Sequence, residues 1–249
     1  MKNINIPFLL ILVISFFTAA CNKEEGSITS KTKRLIDKES STNGFFFNYT
    51  YDANGQCVRI DAKDSYTTYV YGNSTVTETI VPNSSSRSVY TYSLNAQGLA
   101  TKKTYISGSV IFEDLYEYDT KGFILKFIFQ YRLTNSTNPP EIGITKLYER
   151  DTEGDLISIK STSSTINLAN DSYTYAIDKK NYETVDNEYR GLKWRGKLSL
   201  HAISSETYKS YLGAITVRNR VNIYDAQGYI LQTNYSIANG ASTYTYTYK

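Results

Sequence analysis

The chain has 249 residues and is nearly balanced in charge, with 27 Lys and Arg against 24 Asp and Glu. That balance excludes the broad basic footprint of a nucleic-acid binder. With 2 cysteines and 1 histidine, the residues for a zinc site are missing, so no metal or cofactor is expected.

Residues 1–20 read as a signal peptide. Ile6–Phe17 is almost wholly apolar and follows Lys2, the only charge of the segment. The run is too short for a membrane span and ends in small residues, as a secretory signal does. Thr18-Ala19-Ala20-Cys21 resembles a bacterial lipobox, with Thr where that pattern usually has Leu. The resemblance implies cleavage before Cys21 and lipidation of its sulfur. The bland alternative is an ordinary signal peptide with an incidental cysteine. Asn22-Lys23-Glu24-Glu25 resembles the short acidic signal with which some Bacteroidetes-type lipoproteins reach the outer face of the outer membrane. The periplasmic face is the alternative location.

Residues 21–43 are polar and read as the lipidated cysteine and a flexible tether, in which Leu35 and Ile36 could start a short strand. Residues 44–249 read as a single β domain. Its only cysteine is Cys57, so an internal disulfide is excluded and Cys57 reads as a small packed residue.

From Phe45 the pattern is β. Strands are predicted over 45–51, 56–62, 66–71, 75–81, 88–94, 99–106, 109–118 and 123–133. Others follow over 143–150, 155–161, 172–177, 182–186, 215–224, 229–236 and 242–248. The repeating unit is clearest in Tyr116–Phe129, YEYDTKGFILKFIF. There an Asp-x-x-Gly turn separates two runs of β-branched and aromatic residues. The Asp accepts a bond from the backbone ahead of it, and the Gly supplies a positive φ. Asp-x-x-Gly occurs at 52–55, 119–122, 151–154 and 225–228, where chance gives fewer than about one. Asn95–Gly98 and Asp178–Asn181 are variants. Short links between successive strands imply antiparallel neighbours. The expected fold is all-β: an antiparallel up-and-down meander of repeated hairpins, strongly curved or closed as a barrel. A membrane-spanning barrel is disfavoured, because many strands carry polar residues on both faces.

Residues 187–214 break the rhythm. They hold the only tryptophan, Trp194, the only histidine, His201, and a basic cluster of Arg190, Lys193, Arg195 and Lys197. Ser204 or Ser205 could cap a short helix through Tyr211. An exposed Trp194 beside these cations would form a platform for a sugar with an acidic group. The competing reading puts Trp194 in the core with the basic side chains solvated.

Tyrosine is the loudest compositional signal, 24 residues, often in pairs two apart such as Tyr49/Tyr51, Tyr69/Tyr71 and Tyr116/Tyr118. Such pairs share a strand face. They serve either core packing or an aromatic binding surface. One Asp-x-x-Gly turn supplies too few oxygens for calcium. No nucleophile elbow or phosphate loop is present. Nothing selects a pair of the scattered carboxylates for glycoside hydrolysis.

Tyr-Asp-x-x-Gly at 51–55, 118–122 and 224–228 resembles the YD repeats of the Rhs/teneurin group. The lipobox, these hairpins and the closing Tyr244/Tyr246/Tyr248 strand are together similar to a Bacteroidetes lipoprotein family described as having a porin-like fold. That resemblance spans roughly residues 30–249, speaks to fold and carries over no functional residues. The expected function is a non-catalytic lipoprotein at the outer membrane that binds a glycan or peptide at the cell envelope. A structural partner of an envelope protein complex is the alternative, and a glycoside hydrolase-type enzyme the remote one.

Overall fold

The structure, a computed structural model, describes residues 34–163, 171–177, 190, 192–195, 197, 199, 202–210, 213–238 and 240–249. The signal peptide, Cys21, His201, the candidate strand 182–186 and the Asp178–Asn181 turn lie outside them. The described strands are Ile36–Ser41 (β1), Phe46–Tyr51 (β2), Cys57–Ala62 (β3), Ser65–Tyr71 (β4), Thr75–Pro82 (β5) and Ser88–Leu94 (β6). Then come Ala100–Ser107 (β7), Val110–Tyr118 (β8), Ile124–Leu133 (β9), Glu141–Arg150 (β10) and Leu156–Ser163 (β11). Asp171–Ile177 (β12), Ile203–Lys209 (β13), Ile215–Tyr224 (β14), Ile230–Ile237 (β15) and Gly240–Tyr248 (β16) complete the set. Each pairs antiparallel with its neighbour in sequence, and β1 pairs with β16, so the sheet is a closed up-and-down barrel of 16 strands. Closure leaves no edge to recruit a foreign strand.

The Asp-x-x-Gly turns have one geometry. At the β8–β9 turn Asp119 Oδ1 accepts the N–H groups of Lys121 and Phe123, each at 2.9 Å. The Gly122 N–H donates to the Asp119 carbonyl at 3.1 Å, with Gly122 at φ +84°. The same side-chain acceptor recurs at Asp52, Asn95, Asp151 and Asp225. A register shift sits beside each turn, as a three-residue loop with a bulge requires. All five turns lie at one end of the barrel, called here the turn mouth.

Tyrosines lock that mouth. The last residues of β2, β4, β8 and β16 are Tyr51, Tyr71, Tyr118 and Tyr248. Each hydroxyl donates to the carbonyl of the first residue of the strand before it: Ile36, Cys57, Ala100 and Ile230, at 2.5–2.8 Å. Those four acceptor residues are buried. Burial pushes the Cys57 thiol up to about 12, which agrees with its reading as a packed residue.

Two expectations need correction. The tether is expected to reach residue 43, with a short strand starting at Leu35 and Ile36; that strand, β1, starts at Ile36 and closes the barrel, so the domain begins inside the expected tether. Ile36 and Glu39, both buried, give β1 an inward face. The helix expected from Ser204 is instead β13. It pairs with β12 on one side and β14 on the other, and two ladders outweigh a local capping signal.

Alternation along the strands divides lumen from exterior. Tyr69 is 5 % exposed and faces inward, while its neighbour Val70 is 67 % exposed and faces out. The outer face carries ion pairs along the strands: Arg59–Asp61 at 2.7 Å, Lys102–Glu113 at 3.3 Å, Lys126–Glu117 at 3.2 Å, and Lys160–Glu149. The inner face is tyrosine-rich and holds the core.

Candidate functional site

A ring of 16 strands encloses more space than its own side chains fill. Here the β12–β13 connection supplies the filling. Leu192, Trp194 and Ala202 are buried in the same cluster as the lumenal Tyr49, Tyr69, Tyr92 and Tyr246. Lys193–Arg195 form a short 3₁₀ turn closed by the Arg195 N–H on the Leu192 carbonyl at 2.9 Å. The segment is stitched to the turn mouth. The Lys197 N–H donates to the Gly122 carbonyl at 2.9 Å, and the Ile124 N–H to the Lys197 carbonyl at 3.1 Å. Ser199 Oγ lies 3.3 Å from Asp155 Oδ1 and accepts the Leu156 N–H at 3.2 Å.

Trp194 is 4 % exposed, so of the two readings the core one holds and the exposed platform is corrected: the indole stands inside the barrel. Its ring centroid lies 4.3 Å from that of Tyr92 and 6.1 Å from that of Tyr69, both tilted. An indole is too large and apolar to leave in water when an aromatic-lined lumen is available.

The basic cluster is divided rather than solvated as a unit. Arg195 Nη2 meets Glu78 Oε1 at 2.5 Å, and its guanidinium carbon is 4.9 Å from the Trp194 ring centroid. Glu78 also accepts the Tyr69 hydroxyl at 3.0 Å and the Tyr92 hydroxyl at 2.6 Å. Burial, and after it the Glu78 carboxylate, holds the Tyr92 phenol well above its ordinary pKa, so it stays a donor. Arg190 Nε reaches Glu39 Oε1 at 2.6 Å, the same oxygen that accepts the Tyr49 hydroxyl at 2.7 Å.

Lys193 and Lys197 go elsewhere. With Tyr116, Tyr118 and Asn95 they line a cavity of about 710 Å³ at the turn mouth, between the β6–β7 and β8–β9 turns. Beneath it, Tyr116 and Tyr118 also line a smaller cavity of about 270 Å³, closed by Trp194, Arg195 and Tyr92. Trp194 therefore reaches a ligand only from inside. At the opposite end of the barrel Arg190 faces a third cavity, of about 590 Å³.

Sequence reasoning missed Glu39 and Glu78, the carboxylates that hold the inserted segment. A signal for Glu78 was present: it alternates with Val76 and Ile80 on a lumenal strand face, where a carboxylate needs a partner. Among the described residues, Asp151, Glu153 and Asp155 bring carboxylate oxygens within 4.8 Å of one another. The turn itself explains this gathering, since Asp151 Oδ1 accepts the N–H groups of Glu153, Gly154 and Asp155.

A closed antiparallel barrel with a segment threaded into its lumen is the class this fold defines. No protein-family model and no curated protein matches the chain. Among solved structures it is similar to a porin-like protein from Bacteroides uniformis, at 14 % identity and a TM-score of 0.63, covering 86 % of this chain and 96 % of that one. It is also similar to a porin-like protein from Bacteroides vulgatus, at 14 % identity and a TM-score of 0.57, covering 86 % and 99 %. At such identity the likeness is one of fold.

Proposed function

We propose that this chain is a non-catalytic lipoprotein of the outer membrane, held by lipid on Cys21, whose filled barrel takes a glycan or peptide at its turn mouth. The observation that carries the reading is the mouth cavity, where Lys193 and Lys197 of the inserted segment meet Tyr116 and Tyr118 of the wall. Function tends to sit on elaborated loops carried by a rigid frame, and residues 190–202 are that elaboration. A cavity of about 710 Å³ is in the range of small-ligand sites.

The outer face supports a barrel that sits beside the bilayer rather than across it. β1–β7 run from six to eight residues, short of the about 9–11 of a spanning strand, which β8–β10, β14 and β16 do reach. The Arg59–Asp61 and Lys126–Glu117 pairs stand where lipid would require an apolar band. The filled lumen argues against an open diffusion channel.

An array of neutral and acidic glycans and short peptides tests the ligand reading, with wild type beside Lys193→Ala/Lys197→Ala. At least a tenfold loss of signal in the variant is expected, equivalent to about 1.4 kcal/mol. Equal binding by both removes the mouth from the reading. No binding by either shifts weight to a structural partner of an envelope protein complex. That second reading draws on the outward row of Ile215, Val217, Val221 and Ile223 on β14, all exposed.

Anchoring is tested separately. Cys21→Ala is expected to leave the protein soluble or unprocessed, because lipid chains on that sulfur supply the attachment. A variant that stays membrane-bound after cleavage at the same site would sink the lipid anchor. Protease shaving of intact cells distinguishes surface display from the periplasmic face.

A further inference from the structure

The end of the barrel opposite the turn mouth holds a cavity of about 590 Å³. Its wall is unusually basic. Arg218 and Arg220 are two apart on β14 and point into the lumen, and Arg190 reaches the same space from the inserted segment. Tyr235, Tyr244 and Asn43 complete the lining.

The charges there do not cancel. Glu39 is engaged by Arg190 and Tyr49. Arg218 and Arg220 share a single carboxylate, Glu206, at 3.4 Å and 2.9 Å. Even with Glu206, which does not itself line the cavity, counted beside Glu39, the three lining guanidiniums exceed the described carboxylates by one. The longer contact belongs to Arg218, whose side chain is half exposed and lines the cavity. Arg220 has a buried Nε with no hydrogen-bond partner among the described residues. Its guanidinium carbon lies 5.1 Å from the Tyr235 ring centroid, and Tyr235 meets Tyr244 edge-on at 5.2 Å. A buried donor without an acceptor is unfavourable unless something supplies one.

We propose that this cavity is a binding site for a carboxylated saccharide. The carboxylate takes the fork of Arg218, which matches two parallel oxygens, and draws on the charge of Arg220. The sugar lies along Tyr235 and Tyr244, whose rings offer apolar faces with polar edges. The volume suits a mono- or disaccharide. This site is separate from the turn mouth, so the two stand or fall independently.

Isothermal titration of the full-length protein with digalacturonate, its neutral analogue digalactose and inorganic phosphate tests the proposal. Digalacturonate is expected to bind at least tenfold more tightly than digalactose, and more weakly as salt rises. Arg218→Gln, at a half-exposed position whose carboxylate keeps Arg220, is expected to weaken digalacturonate at least tenfold. Equal binding of the charged and neutral sugars overturns the proposal, as does an Arg218→Gln variant with wild-type affinity. Phosphate that displaces digalacturonate at equal concentration makes this a general anion site and overturns the saccharide assignment. Absence of digalacturonate binding overturns the whole.

Discussion

Replacing Glu78 by alanine is expected to lower the stability of the barrel by about 3 kcal/mol. Glu78 faces the lumen with its side chain 7 % exposed, and it serves three donors: Arg195, Tyr69 and Tyr92. Alanine removes every acceptor at once. The guanidinium is left without its counter-charge and two buried hydroxyls without partners. The Arg195 side chain is 34 % exposed, so water recovers part of its solvation, and the effect falls at the low end of the range for stripping one member from a buried pair. Glu78→Gln keeps an acceptor without the charge and is expected to fall between. Glu78→Leu combined with Arg195→Met removes both charges and is expected to be milder than Glu78→Ala alone. Urea midpoints read this order directly. A Glu78→Ala loss under about 0.5 kcal/mol would mean that solvent screens the pair as it does at a surface.

Trp194→Ala is expected to have a still larger effect, about 3–5 kcal/mol. The indole fills the space between Tyr69 and Tyr92 and carries the Arg195 guanidinium over its face. Alanine would merge its volume with the adjoining 270 Å³ cavity. A closed ring of hydrogen-bonded strands cannot collapse to refill that space, which favours the upper part of the range. Trp194→Phe keeps much of the aromatic contact and is expected to lose about 1–2 kcal/mol. Trp194 is the only tryptophan, so its emission reports on this one place. It is expected to be blue-shifted in the folded protein and to move red in the same urea transition that unfolds the sheet. A red-shifted emission before any loss of β signal would show the inserted segment leaving an intact barrel.

The two effects bear on the function proposed above. Trp194 and Arg195 are held inside, and the same short segment delivers Lys193 and Lys197 to the mouth. Glu78 and Trp194 thus position the lysines without touching the mouth cavity themselves. A variant that loosens either is expected to weaken binding at the mouth along with stability, which is why Lys193→Ala/Lys197→Ala is the cleaner test of the site.

Turn chemistry was legible in the sequence because it is local. Asp119 bonds the backbone two and four residues ahead, and Gly122 needs its positive φ whatever lies around it. The paired tyrosines were legible as strand residues sharing a face, though not as donors that latch neighbouring strands at the mouth. The same local reasoning misjudged β13. A serine followed by Glu206 reads as a helix start, but Glu206 faces the lumen and meets Arg218 and Arg220 across the ladder.

The sequence by itself determined the β class, the antiparallel meander and the place of each Asp-x-x-Gly hairpin. Their signals are periodicity two and turns of four residues, both contained in short windows. Only the tertiary structure decided closure, the burial of Trp194 and the division of the basic cluster. Closure joins Ile36 to Tyr248, and the lumen joins Glu78 to Arg195 and Glu39 to Arg190. Contacts between residues more than a hundred positions apart leave no mark in a local pattern. They form because a wide barrel must fill its interior, and among the described residues the β12–β13 connection, with Trp194, Arg190 and Arg195, is what enters it.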